Sequence, residues 1–170
     1  MTPLVTKTTN TGKKSLPMQI IKRLGGYPCS HRQWKDDGHC QFLHGYDRWI
    51  EITWQGSRDQ RGWVVDFGAL KGLKEIFEHQ FDHTVLVSED DPFLDLFTAE
   101  PLDGSLWQVR VMDPTMEGMA LWVKDEVQAW TEEYIEAEGA DPSLRVVRVE
   151  CWENEKNAAV WQEGADYGSA

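Results

Sequence analysis

Cysteine is scarce in this chain. There are three, Cys29, Cys40 and Cys151, an odd number with no Cys-x-x-Cys spacing, which excludes a disulfide framework and points to free thiols in a reducing cytoplasm. No apolar run is long enough to span a membrane and no stretch resembles a signal peptide, so neither a membrane partner nor export is expected. Positive charge is also in short supply: 17 Lys and Arg against 29 Asp and Glu give a net charge of −12. The acidic residues are spread along the chain rather than gathered in a tail, which argues against nucleic acid as the main partner. Internal repeats and low-complexity domains are absent as well, which excludes a solenoid.

What is present fits one domain. A chain of 170 residues can bury roughly 70% of its unfolded surface in a single core. Nine tryptophans are many for this length, and most are expected in the core or at a subunit interface rather than as stacking platforms for bases. An anionic substrate would need a local basic pocket, for which the sequence offers Arg23, Arg32, Arg48, Arg58 and Arg61.

Residues 1–16 are rich in Thr and Lys and read as a mobile arm, residues 17–163 as the folded domain, and residues 164–170 as a frayed tail. From Pro17 to Arg32 the pattern predicts a strand bent at Gly25-Gly26. Asp47 to Gln55 alternates Trp49, Glu51, Thr53 with Ile50, Ile52, Trp54, a strand with one apolar face. Asp66 reads as an N-cap for an amphipathic helix reaching about His79. A short helix is expected over Phe93–Phe97 and a strand over Trp107–Met112. A second, longer helix should run from about Thr115 to Glu138, with Pro114 at its start and Gly139 at its end. Strands over Leu144–Trp152 and, at an edge, Asn157–Gln162 complete an α+β fold with two helices on one face of an antiparallel sheet.

The stretch Cys40-Gln-Phe-Leu-His44-Gly45-Tyr46 stands at the mouth of the second strand. Side chains at i and i+2 share a strand face, so His44 and Tyr46 point the same way. A thiol, an imidazole and a phenol there are a candidate metal or acid–base site; a buried Cys and a core His beside a turn glycine would give the same pattern.

Six motifs in order carry a resemblance: His31-Arg32, Cys40-x-x-Leu43-His44-Gly45, Gly62-Trp63-Val64-Val65-Asp66-Phe67-x-x-Leu70-Lys71, Asp82-His83-x-x-Leu86, Pro114-Thr115-x-Glu117, and Glu153. Together they resemble the 6-pyruvoyl-tetrahydropterin synthase and 6-carboxy-tetrahydropterin synthase family, in a variant branch with His-Gly-Tyr in place of His-Gly-His. The resemblance implies a tunnelling fold, in which sheets of several subunits join into an oligomeric barrel, commonly a hexamer built from two trimers. It also implies active sites where subunits meet and a zinc ion held by histidines. The expected activity is conversion of 7,8-dihydroneopterin triphosphate to 6-carboxy-5,6,7,8-tetrahydropterin, a step toward queuosine and other 7-deazaguanine compounds. The alternatives are the sibling reaction, which yields 6-pyruvoyl-tetrahydropterin, and a pterin- or purine-binding protein of the same fold with altered catalysis.

Carried over residue by residue, the resemblance makes His31 and His44 zinc ligands and Tyr46 the occupant of the third ligand position. A phenol titrating near pH 10 is a poorer ligand at neutral pH than imidazole. Three outcomes are therefore open: Tyr46 ligates as phenolate, His39 completes the set, or the site is weak or empty. Cys40 matches the catalytic base, and Asp82 with His83 the remainder of the proton relay. Glu153 matches the carboxylate that anchors the pterin, with Glu150 as a nearby rival. Thr115 matches a further substrate contact, although a helix-start residue would read the same way.

Overall fold

The computed structural model describes residues 16–165. The arm expected over residues 1–16 and the tail over 164–170 lie outside the described residues, apart from Leu16, Gly164 and Ala165. The elements are β1 (Met18–His31), β2 (His44–Gly56), α1 (Lys71–Phe81), β3 (Thr84–Val87), α2 (Leu94–Phe97), β4 (Val109–Val111), α3 (Met116–Glu138), β5 (Arg145–Trp152) and β6 (Ala158–Gln162). No helix among the described residues is long and apolar enough to cross a membrane.

Six strands form one sheet in the order β4-β3-β1-β2-β5-β6. The expectation of an antiparallel sheet needs correction, because the sheet is mixed: β3 pairs parallel with β1, and β4 parallel with β3. The chain leaves β2, crosses through α1 and returns beside β1 in the same direction as β1, which makes the new pair parallel. All four residues of β3 are buried, so this strand shows no alternation from which an exposed face could be read. The remaining pairs, β1 with β2, β2 with β5 and β5 with β6, are antiparallel.

Local chemistry accounts for the element ends. The β1 register slips between Gly25 and Tyr27, where the sequence places its bend. A Cβ on Gly25 would meet the Trp49 ring at 2.5 Å, so the missing side chain admits an indole across the strand pair. Asp66 accepts from Gly68 N and caps a 3-10 turn, Phe67–Leu70, that leads into α1. The helix proper therefore starts at Lys71, later than its cap suggests. Thr115 caps α3 by accepting from Gly118 N at 2.8 Å, and Gly139 ends that helix in the left-handed conformation.

The core lies between the sheet and the helices. Ile50, Ile52 and Trp54 of β2 face Leu73 and Phe77 of α1 and Met119, Val123 and Val127 of α3, all fully buried. Trp54 donates its Nε1 to Thr131 Oγ1 at 2.9 Å, which satisfies the one polar atom that its burial takes from water. This packing fixes the β1–β2 register, and with it the far end of both strands.

Candidate active site

At that far end the register sets His31, the last residue of β1, directly opposite His44, the first of β2. Their rings lie 4.2 Å apart between centroids, and Tyr46 is 5.8 Å from His44 and 6.3 Å from His31. Gly45 between them is required by space. A Cβ there would stand 2.9 Å from the Cys29 carbonyl and from Ser30 Oγ, so the residue linking His44 to Tyr46 can only be small.

A carboxylate completes the cluster. Glu153 follows β5 on the same face as Val149 and Cys151, and its Oε1 lies 3.9 Å from His31 Nε2. Its backbone N–H donates to the Asn157 carbonyl, and the Asn154 side chain closes the turn by accepting from Lys156 N and Asn157 N. Donor atoms of His31, His44 and Glu153 all lie within 4.8 Å of one another, a possible metal site. Two imidazoles and a carboxylate match in type and number the protein ligands of an open divalent centre, so the residues fit such an ion. His39 is outside this group, while the Tyr46 ring stands at its rim.

The ring nitrogens are not equivalent. His44 Nδ1 donates to the Phe42 carbonyl at 2.6 Å, which leaves the Nε2 lone pair free. His31 is 3% exposed. Burial first, then the nearby Arg48 charge and His44, hold its pKa down to about 3, so the ring stays neutral at physiological pH. Arg48 is itself fully buried, with Nη2 2.8 Å from His31 Nδ1.

The other expected residues stand around this cluster. Cys40 lies in the 3-10 turn His39–Gln41, held by its N–H on Asp36 Oδ2 at 3.1 Å and its carbonyl on Gln33 N at 2.8 Å. It is the half-buried thiol. Cys29 and Cys151 are buried, and burial pushes both thiols up, which leaves Cys40 as the reactive candidate. Asp82 Oδ1 accepts from His83 Nδ1 at 2.7 Å, orienting an exposed ring with its Nε2 free. His83 has φ 56°, a conformation sparsely populated by non-glycine residues, and its N–H donates to the Pro28 carbonyl.

The expected sites are only partly brought together within this chain. No hydrogen bond among the described residues joins Cys40 to Asp82 or His83. His83 instead lines a cavity of about 550 Å3 with Ser30, Tyr46 and Trp107, and Tyr46 also lines one of about 500 Å3 with Glu153, Trp49 and Arg23. Thr115, spent on its cap, borders a third cavity with Trp34 and Asp90. Glu150 points to the opposite sheet face, where it contacts Arg148, so Glu153 is the carboxylate of the histidine cluster. The arginines considered for an anion pocket are dispersed: Arg32 pairs with the buried Asp91, Arg61 with Asp59, and Arg23 stacks on Trp49. Sequence reasoning counted Arg48 only as a possible anion binder and missed its burial. The signal was its place on the apolar face, in the series His44, Tyr46, Arg48, Ile50.

A mixed sheet covered on one face, with two cross-strand imidazoles and a carboxylate at one end, defines an α+β protein with a candidate metal centre. Residues 20–164 match the model of the 6-pyruvoyl tetrahydropterin synthase family, and the chain belongs to that family. It is 32% identical over 109 residues to a 6-carboxy-5,6,7,8-tetrahydropterin synthase of Rickettsia typhi, covering 58% of this chain and 78% of the relative. It is 30% identical over 115 residues to a probable enzyme of the same name from Halobacterium salinarum, covering 68% and 73%. Among solved structures, an uncharacterized protein from Wolinella succinogenes superposes with a TM-score of 0.70 at 22% identity, over 88% of this chain and 99% of that one. The 6-pyruvoyl tetrahydropterin synthase of Caenorhabditis elegans gives 0.60 at 16% identity, over 90% and 100%. At these identities the two structures establish the fold alone.

Proposed function

We propose that this chain is a lyase that converts 7,8-dihydroneopterin triphosphate to 6-carboxy-5,6,7,8-tetrahydropterin. The observation that carries this reading is the cluster of His31, His44 and Glu153 donors within 4.8 Å, in a chain of this family whose relatives bear the name of that synthase.

His31, His44 and Glu153 would hold a zinc ion, with Tyr46 beside it. Such an ion, when bound, polarises a substrate oxygen and favours loss of a proton from the neighbouring carbon. Glu153 has two oxygens. Oε1 faces the histidines, while Oε2 receives long bonds from the side-chain amides of Asn154 and Asn157, at 3.3 and 3.4 Å. Those are weak enough for pterin N–H groups to replace them, so Glu153 offers a carboxylate either to the ion or to the N–H edge of the ring. Cys40 takes the proton as thiolate. His83, oriented by Asp82, returns one to the other face through Nε2. No hydrogen bond joins Cys40 to His83 among the described residues, and the relay would be completed where subunits adjoin, in an oligomer that also covers the sheet edges at β4 and β6.

The test is turnover of dihydroneopterin triphosphate by the purified full chain supplied with zinc, with products identified by mass spectrometry. The 6-carboxy product is expected, with water consumed and with release of triphosphate and of the other two side-chain carbons as acetaldehyde. No consumption of substrate at stoichiometric zinc overturns the proposal.

A further inference from the structure

We propose that Asp36 is a positioning residue for Cys40, holding the loop between β1 and β2 so that the thiol keeps one place at the mouth of β2. The inference rests on reading Cys40 as the base. It concerns a residue outside every motif named above, in a stretch that reads from the sequence as no more than a polar loop.

Residues 32–39 offer little to bury, since Trp34 is their one large apolar side chain, and the turn His39–Gln41 is too short to hold itself. A base must stand within hydrogen-bond reach of the proton it takes, and a misplacement of about 1 Å can cost about a hundredfold in rate. A thiol on such a loop therefore needs something to fix it.

What fixes it is a closed ring of bonds. Asp36 Oδ2 accepts from Gly38 N and from Cys40 N, each at 3.1 Å. The Cys40 carbonyl accepts from Gln33 N at 2.8 Å, and the Gln33 carbonyl from Asp36 N at 2.9 Å. Both backbone polar groups of Cys40 are thus engaged inside the loop, which leaves rotation about Cα–Cβ as the main freedom of the thiol. The two bonds to the Asp36 carboxylate are charge-assisted, a kind roughly twice as strong as bonds between neutral groups.

The ring is itself fastened to the sheet. Trp34 Nε1 donates to Asp90 Oδ1 at 3.0 Å, Lys35 Nζ lies 2.5 Å from Asp90 Oδ2, and Arg32 Nε lies 3.1 Å from Oδ2 of the fully buried Asp91 side chain. Asp90 and Asp91 follow β3, and Asp82 and His83 precede it. One short buried strand therefore has the His83 imidazole at one end and, at the other, the carboxylates that fasten the Cys40 loop. Asp36 is the last link, the side chain that reaches Cys40 itself.

Such a residue supplies geometry and should act on turnover while leaving binding alone. In the zinc-loaded full chain, Asp36→Ala should lower kcat for dihydroneopterin triphosphate about ten- to a hundredfold, with KM within about twofold of wild type. Zinc affinity should not change. Asp36→Asn, whose amide oxygen can still accept both N–H groups, should keep kcat within about threefold of wild type. Amide hydrogen exchange without substrate should show the Cys40 N–H protected in wild type and in Asp36→Asn, and unprotected in Asp36→Ala. An unchanged kcat in Asp36→Ala, a raised KM at constant kcat, a loss of zinc affinity, or an Asn variant as poor as Ala overturns the proposal and leaves the reading of Cys40 standing. Wild-type protein that does not turn over, or that turns over as well after Cys40→Ala, overturns that reading and the proposal with it. Should Asp36→Ala fail to fold, the other two proteins decide: a fast-exchanging Cys40 N–H in wild type, or a folded Asp36→Asn with kcat down more than about tenfold, overturns the proposal.

Discussion

The two halves of β2 use the same strand face in opposite ways. Ile50, Ile52 and Trp54 are fully buried against the helices, and from Trp49 onward the strand is paired on both sides, by β1 and by β5. His44, Tyr46 and Arg48 continue the alternation toward the chain's start, but there only β1 pairs with β2. Without β5 alongside, the face opens onto the cavity shared by Tyr46 and Glu153. One half therefore fixes register by hydrophobic burial, and the other uses that register to hold polar groups at set distances. Damage to the first half should appear as lost stability and damage to the second as lost binding.

The largest expected effect lies in the apolar half. Trp54→Ala removes a fully buried indole and leaves Thr131 Oγ1 without its donor. It should cost about 3–5 kcal/mol of unfolding free energy, measured by urea denaturation of the metal-free protein. A cost near that of a surface substitution would mean that β2 is not clamped at this end, and that the division between the halves is wrong.

Acid sharpens the comparison, because His31, which faces the polar half from the end of β1, is buried. Its folded pKa, about 3, lies below the unfolded value of 6.5. Between these values the unfolded chain binds the extra proton, so stability should fall as pH drops from 6.5 toward 3 and be unaffected by this group above 6.5. The loss by pH 4 is on the order of 3 kcal/mol if no other change intervenes. Comparing wild type with His31→Gln in urea at each pH isolates this component. Parallel curves for the two proteins would show that His31 is not held neutral in the fold.

His44→Ala should act in the other direction. His44 is only partly buried and lies outside the hydrophobic core, so the unfolding free energy should move by about 0.5 kcal/mol or less. Zinc affinity should fall by about a hundredfold, because one of three donors is gone. A loss of stability comparable to that of Trp54→Ala would erase the distinction between scaffold and site.

Much of the apolar half could be read from the sequence, because what shaped it is local. The bend at Gly25-Gly26, the alternation from Trp49 to Trp54, and the Thr115 and Gly139 ends of α3 each depend on residues a few positions apart. The family motifs likewise marked His31, His44 and Glu153. What stayed hidden depends on contacts across the chain. The parallel direction of β3 is set by the path of α1, and four buried residues carry no trace of it. Arg48 looked like any other arginine until the fold enclosed it. Glu153 was expected as a pterin anchor, whereas its distance to His31 suggested a second use that only the turn after β5 could create.

That second use gives the smallest effect and the finest test of the polar half. Glu153→Gln keeps the size of the side chain and its place after β5, but replaces a charged pair of acceptors with one neutral acceptor and one donor. If Oε1 is a metal donor, zinc affinity should fall about tenfold, less than for His44→Ala because an amide oxygen can still approach the ion weakly. If Oε2 also receives the pterin, affinity for a dihydropterin in zinc-loaded protein should fall by a similar factor, since a charge-assisted hydrogen bond is worth roughly 1.5–3 kcal/mol. Calorimetry of the two ligands on the same variant separates the roles. A loss for the pterin alone would leave Glu153 as an anchor that merely stands near the histidines. A loss for zinc alone would make it a metal ligand, and the pterin would then need another carboxylate. Glu150→Gln serves as the control on the opposite face of the sheet, and should change neither affinity.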